Sequence, residues 1–145
     1  VIATSCTVHK RVSNDGAFFD TTLSDFTDIA FWVRDNIQKD EMVMSPVYME
    51  GFRGFSLHPI YGTIKDGAPH NYCETTVFKW QAKMEQFGIV PSVDIALYPQ
   101  IYHERAFDIA AKEGINYVVY DKSLIKNNPG VVIFENGRFA VSKIR

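Results

Sequence analysis

The stretch PQIYHERAFDIAAKEGINYVVY, residues 99–120, decides the fold class because it places a helix directly before a strand. Gly114 ends the helix predicted over residues 99–113, since glycine readily takes the left-handed conformation that follows a helix. The β-branched and aromatic run 115–120 predicts a strand. The inner face of the helix has apolar side chains at helical spacing: Tyr102, Ala106, Ile109 and Ala110. A sheet with parallel neighbours and right-handed crossovers is the arrangement that such helix–strand units favour.

Four further segments precede this stretch. Hydrophobic spacing and turn residues predict a helix, two short strands and a second helix, over residues 24–40, 42–48, 60–64 and 75–87. Ser24 or Asp25 is the expected N-cap of the first helix. Gly88 is the expected left-handed residue after the second helix. The glycine-containing segment 51–56, between the two strands, predicts a tight turn or a single helical turn.

The C-terminal segment reads as a hairpin. Its strands are predicted over residues 131–134 and 139–144. The connecting pair Asn136-Gly137 is the one that a type I′ turn favours. The weak alternation of the second strand indicates an edge strand. With the upstream elements, the hairpin predicts an α/β fold: a single compact domain over residues 1–145, with a mixed sheet, flanking helices and a C-terminal antiparallel hairpin.

Composition narrows the class of protein. The chain has 145 residues, of which 46% are apolar and 22% charged, values that exclude disordered, collagen-like and disulfide-scaffold proteins. Its net charge of −2 argues against a nucleic-acid partner, because nucleic-acid-binding domains carry a basic excess. No apolar run approaches the roughly 18 residues that span a bilayer. The chain begins at Val1 rather than Met, which we interpret as a piece cut from a larger membrane protein.

Several motifs together resemble one family. They are FWVRDN, then KD, EGFRGFS, GINYVV and VIFENGRFAV, at residues 31–36, 39–40, 50–56, 114–119 and 132–141. This series resembles the soluble C-terminal domain that follows the membrane helices of bacterial polytopic proteins similar to GT-C-type glycosyltransferases. The chain departs from the pattern at Ile37-Gln38, where Thr-Pro is usual, and at His58, where Arg is common.

The resemblance implies a place and a role. The domain would lie on the extracytoplasmic face of the bacterial membrane, with the parent transmembrane region as its partner. Its role would be that of a non-catalytic accessory domain that binds a glycan, a lipid-linked donor or another protein. The catalytic carboxylates of such proteins lie in the membrane part, outside this sequence.

The richest polar cluster lies in the loop between the two predicted strands: Tyr48, Glu50, Arg53, Ser56 and His58. Ligands of open α/β sheets bind at the carboxyl ends of strands, and a guanidinium fork suits carboxylate or phosphate. We therefore expect Arg53 and His58 to bind an anionic group such as a lipid-linked phosphate. The structural alternative is that Arg53 pairs with Glu50 or Asp66 and only braces the loop.

Other candidate residues give weaker signals. Cys6 and Cys73 permit one disulfide, or are two unrelated buried thiols, and no C-x-x-C motif accompanies them. His70 and Glu74 lack a third nearby ligand, so we expect no metal and no cofactor. His103 is expected on the solvent side of its helix, without a functional role.

Two alternative functions stay open. One is a small stand-alone α/β hydrolase or transferase that uses the loop with Glu50, Arg53 and His58. The other is a purely structural domain that caps a membrane bundle. The sequence has neither the nucleophile elbow G-x-S-x-G nor a phosphate-binding Walker loop. It does not decide the oligomeric state.

Overall fold

The computed structural model of the chain describes residues 15–67, 74–125 and 128–144. Its helices are α1 (Asp15–Asn36), α2 (Phe52–Ser56), α3 (Glu74–Phe87) and α4 (Tyr98–Glu113). Its strands are β1 (Val43–Met44), β2 (Tyr117–Asp121), β3 (Val131–Glu135) and β4 (Phe139–Lys143). Short 3-10 turns cover Ile64–Gly67 and Ile95–Leu97. No helix in these described ranges combines the length and the hydropathy needed to cross a bilayer.

The four strands form one mixed sheet in the order β1-β2-β4-β3. β1 runs parallel to β2, with Val43 opposite Tyr117. β4 runs antiparallel to both of its neighbours. The predicted fold class, a single α/β domain with a mixed sheet and a C-terminal antiparallel hairpin, is confirmed.

Helices cover the two faces of the sheet. One apolar cluster joins α1 and α2 to the sheet, and its buried members include Phe26, Ile29, Val33, Phe52, Val119 and Val141. The other joins α3 and α4 to the opposite face, with Met84, Phe87, Tyr102, Ala106, Val118 and Ala140. Successive β2 residues belong to opposite clusters because side chains alternate along a strand. Each fully buried large apolar side chain contributes roughly 1.5–3 kcal/mol, so these two layers stabilise the sheet from both sides.

Both predicted helix ends with glycine are confirmed. Gly88 follows α3 with φ 79°, and Gly114 follows α4 with φ 73°. The Gly114 N–H donates to carbonyls of the last turn of α4. These left-handed residues turn the chain sharply, and Gly114 thereby directs α4 into β2.

Two strand predictions are wrong in part. Residues 60–64 do not form a strand: Ile60 makes one parallel bridge with Val43, and the chain then enters the turn Ile64–Gly67. β4 is an interior strand rather than an edge, because it pairs on both sides. Among the described strands β1 and β3 are the two edges, and Val131 of β3 is 70% exposed.

The start of α1 and the hairpin turn also differ from prediction. α1 already contains Ser24 and Asp25, which lie inside the helix rather than at its N-cap. Neither Asn136 nor Gly137 has a positive φ, so the turn is not type I′. The Asn136 side-chain oxygen instead accepts the N–H groups of Arg138 and of Phe139, the first residue of β4. An added methyl group at Gly137 would lie 2.8 Å from an Asp25 carboxylate oxygen, so a side chain at this position would require the carboxylate to move.

Candidate functional site

A cleft of about 380 Å³ lies between α3 and the segment that follows Ile60. We call it the basic cleft and define it by its lining residues: Arg53, Ile60, Tyr61, Gly62, Asp66, Thr76, Lys79, Trp80 and Lys83. A smaller cleft of about 230 Å³ adjoins it and shares Arg53, Ile60 and Asp66. The larger cleft therefore brings one predicted site residue, Arg53, together with α3.

The basic cleft concentrates positive charge. Among the described lining residues, three cationic side chains, Arg53, Lys79 and Lys83, stand against the single carboxylate of Asp66. The chain as a whole carries a net charge of −2. This local reversal of sign favours the binding of an anion.

Three of the residues that line the basic cleft lie along one face of α3. Thr76, Lys79 and Lys83 are three and four residues apart, so they lie on one face of α3. Lys83 is held in place, because its ammonium donates to the Tyr61 carbonyl at 2.7 Å and lies 4.6 Å from the Tyr61 ring centroid. A hydroxyl and two ammonium groups thus face the segment that carries Tyr61.

Arg53 and Asp66 form a bidentate ion pair. This is one of the two pairs expected if Arg53 braces the loop. The guanidinium Nη1 and Nη2 donate to the two carboxylate oxygens at 3.2 and 3.1 Å. Asp66 Oδ2 also accepts the Thr63 N–H at 2.8 Å, which anchors the carboxylate. An exposed pair of this kind contributes about 1 kcal/mol or less to stability. The pair uses two of the five guanidinium donors and therefore positions Arg53 without exhausting it.

Trp80 forms a fixed wall of the basic cleft. Its indole Nε1–H donates to the Thr63 carbonyl at 2.9 Å. Its ring packs on Gly67, where an added methyl group would lie 2.6 Å from indole Cδ2 and Cζ2. These contacts bind α3 to the turn Ile64–Gly67 and set the width of the cleft.

Glu50 lies beside the basic cleft, in the smaller adjoining one. Its carboxylate pairs with the Lys65 ammonium. Both side chains are more than half exposed, so this pair adds little stability. Glu50 and Arg53 are the two predicted site residues that the structure brings together.

Ser56 and His58 lie elsewhere, in the interior. His58 is 2% exposed, and its Nδ1 lies 2.7 Å from the Ser56 carbonyl oxygen. Its Nε2 lies 3.2 and 3.1 Å from the carbonyl oxygens of Ile37 and Gln38, just beyond the end of α1. The His58 ring therefore ties the chain after α1 to the end of α2 and does not line the basic cleft.

Tyr48 packs in a third place, at the carboxyl end of the sheet. Its ring centroid lies 6.1 Å from that of Tyr102 and 6.2 Å from that of His103. Burial, followed by the nearby Asp121 charge, raises the pKa of the Tyr48 hydroxyl well above its usual value. Tyr48 is accordingly a neutral packing group that closes the interior at this end.

The expectation that His103 faces solvent is wrong. His103 is 6% exposed, because its side of α4 meets the end of β2 rather than water. Its Nε2 accepts the Asp121 N–H at 2.8 Å, and its Nδ1 lies 2.5 Å from the Pro99 carbonyl oxygen, which it contacts as a donor. Burial lowers the pKa of His103, in keeping with this neutral form. Both ring nitrogens are committed to backbone groups.

A second polar cleft opens beside Asp121, lined by Asp121, Lys122, Ser123, Gly137 and Arg138. Its charges are balanced within the protein. Arg138 Nε donates to Asp121 at 2.5 Å, and Lys122 lies 3.7 Å from the Glu135 carboxylate. Although burial opposes ionisation of Asp121, hydrogen bonds from Ser123 and Arg138 lower its pKa. This cleft therefore offers an anion less unbalanced positive charge than the basic cleft does.

Sequence reasoning missed Thr76, Lys79 and Lys83. The pattern T-x-x-K-x-x-x-K on a predicted helix is the signal that could have indicated them. The predictions for Cys6, Cys73 and His70 fall outside the described residues.

Comparisons of the chain with family profiles, with curated protein sequences and with solved structures found no match. Neither a family nor a relative therefore assigns an activity to the basic cleft.

Proposed function

We propose that this chain is a non-catalytic binding domain whose basic cleft holds the phosphate group of a lipid-linked donor. The observation that carries the proposal is the convergence of Arg53, Lys79 and Lys83 on one cleft of a chain that is acidic overall. Following the family resemblance, we place the domain on the extracytoplasmic face of the bacterial membrane. It acts there as an accessory domain of a glycosyltransferase-like membrane protein.

The chemistry of the cleft favours phosphate over an uncharged glycan. A guanidinium presents planar, paired donors, and ammonium groups act as point charges, a combination that suits phosphate oxygens. Thr76 adds a neutral hydroxyl donor to the same face as Lys79 and Lys83. A sugar without charge would not balance the positive charge that remains after Arg53 has paired with Asp66.

The placement of the polar residues favours binding over catalysis. A hydrolase or transferase built on Glu50, Arg53 and His58 needs the three side chains at one reaction centre. His58 is buried against backbone carbonyls at the end of α1, whereas Arg53 faces the basic cleft. The described lining of the cleft includes no histidine or cysteine that could serve Thr76 as a base or replace it as a nucleophile.

Titration with inorganic pyrophosphate tests the proposal. Isothermal calorimetry at low salt should give saturable binding to the chain. The double variant Lys79→Ala/Lys83→Ala should lose more than tenfold in affinity, about 1.4 kcal/mol. Lys112→Ala, which removes an exposed lysine of α4 outside the cleft lining, is the matched control and should bind like the parent chain. Equal affinity for the double variant and the control would overturn the proposal.

A further inference from the structure

An apolar pocket of about 250 Å³ adjoins the basic cleft and shares Trp80 with it. Its lining includes Val77, Trp80, Met84, Ile89 and Tyr98. Two polar side chains among the lining residues are paired with each other, since Gln81 Nε2 donates to Glu85 Oε1 at 2.9 Å. The pocket therefore offers a ligand apolar surface and few unpaired polar groups.

Trp80 lines both the apolar pocket and the basic cleft. Its N–H is directed at the Thr63 carbonyl, so the indole presents carbon surface. α3 contributes neighbouring stripes to the two sites, with Val77 and Met84 on the pocket side and Lys79 and Lys83 on the cleft side. An apolar and a cationic site thus adjoin across one helix.

Exposed apolar side chains extend this surface along the chain. Ile95 is 74% and Leu97 is 53% exposed, and they immediately precede the pocket residue Tyr98. A hydrocarbon chain bound in the pocket and extending beyond Tyr98 would contact the apolar side chains of Leu97 and Ile95.

We infer that the apolar pocket takes the hydrocarbon chain of the ligand whose phosphate occupies the basic cleft. The inference rests on the proposed function and narrows the ligand to an alkyl or isoprenyl phosphate. Charge complementarity selects the head group, and the apolar lining selects the chain. A cavity of about 150 Å³ holds the six carbons of benzene, so the pocket has room for about ten carbon atoms.

A chain-length series tests the inference on the unaltered protein. Binding of ethyl, butyl, hexyl and octyl phosphate is measured below their micelle concentrations, with inorganic pyrophosphate as the head-group probe. Each added methylene that enters the pocket should increase affinity about fourfold until the pocket is full. Affinity that does not change with chain length, while pyrophosphate still binds, overturns the inference and leaves the proposed function intact. If pyrophosphate does not bind while affinity still rises with chain length, the two sites do not share one ligand. The proposed phosphate head group is then wrong as well.

A variant pair locates the chain. Val77→Gln places an amide in the pocket and should abolish the gain from longer chains while pyrophosphate binding is unchanged. Val131→Gln makes the same change on exposed β3 and should keep the full chain-length dependence. The same slope in both variants would contradict the assignment of the chain to this pocket.

Discussion

The indole of Trp80 lies against the backbone of Gly67 so closely that a methyl group there would approach two ring atoms to 2.6 Å. The contact joins α3 to the turn Ile64–Gly67, and the same indole lines the basic cleft and the apolar pocket. This packing contact and the hydrogen bond from Trp80 to Thr63 therefore hold in place a residue that lines both candidate sites.

Gly67→Ala should destabilise the chain by about 1–3 kcal/mol, because overpacking forces the indole or the turn to move. Urea unfolding measures the change, and pyrophosphate affinity should fall with it. Gly54→Ala is the matched control, since an added methyl group there meets no atom within 4 Å. A Gly67→Ala protein as stable as the Gly54→Ala protein would show that the indole contact does not restrain the turn.

Asp66→Asn should strengthen anion binding. The change removes the carboxylate charge that lies among the described lining residues of the basic cleft, and an asparagine oxygen can still accept the Thr63 N–H. Removal of a like charge about 4 Å from a bound phosphate is worth about 1 kcal/mol where water screens the pair as in bulk solvent, a gain of about fivefold. Calorimetric titration with pyrophosphate measures it. Weaker binding would mean that the Asp66 charge is needed to orient Arg53.

His103 should give the stability a dependence on pH. Burial lowers its pKa, so the unfolded chain takes up a proton that the folded chain refuses. The free energy of unfolding should therefore fall as pH drops below about 6.5, the ordinary pKa of imidazole. In urea titrations, the stability difference between the parent chain and His103→Gln should narrow as the pH is lowered. A difference that stays constant would show that His103 titrates alike in both states.

Asp121 should make the free energy of unfolding depend on pH in a more acidic range than His103 does. Its pKa is lowered in the folded chain, so its stabilisation is complete above about pH 4 and is lost as pH falls through the lowered value. Asp121→Asn should cost about 2 kcal/mol at neutral pH, because Arg138 loses a charged acceptor. Thermal unfolding should show the two proteins converging in acid. Glu135→Gln, at an exposed and weaker pair, should change stability by less than about 0.5 kcal/mol.

Hydrophobic periodicity correctly predicted those helices and strands that depend mainly on interactions between residues close in sequence. The α3 and α4 helices, the glycines after them and the C-terminal strands follow from apolar spacing and backbone preference, and the structure confirms them. The type I′ geometry of the Asn136-Gly137 turn does not follow, because the Asn136 side chain bonds both within the turn and to the carbonyl of Asp25, far away in the sequence. His103 was misplaced for a similar reason, since its side of α4 meets the end of β2.

The candidate site depended on long-range packing and could be predicted only in part. Arg53 was identified from its loop, but its neighbours Lys79 and Lys83 come from a helix later in the chain. Lys79 and Lys83 lie near Arg53 because contacts of Trp80 hold α3 against the segment 63–67. The prediction placed His58 with Arg53 because the two residues are close in sequence. Leu57, with a positive φ of 56°, turns the chain between them, and the His58 side chain is buried away from the basic cleft.

The most direct test of the basic cleft is an NMR titration of the isotope-labelled chain with inorganic pyrophosphate. Chemical-shift changes locate a bound anion residue by residue. We predict that the largest changes fall on Arg53, Thr76, Lys79 and Lys83, and that they saturate and weaken with added salt. Changes centred on Lys122, Ser123 and Arg138, or no saturable change at all, would contradict the account.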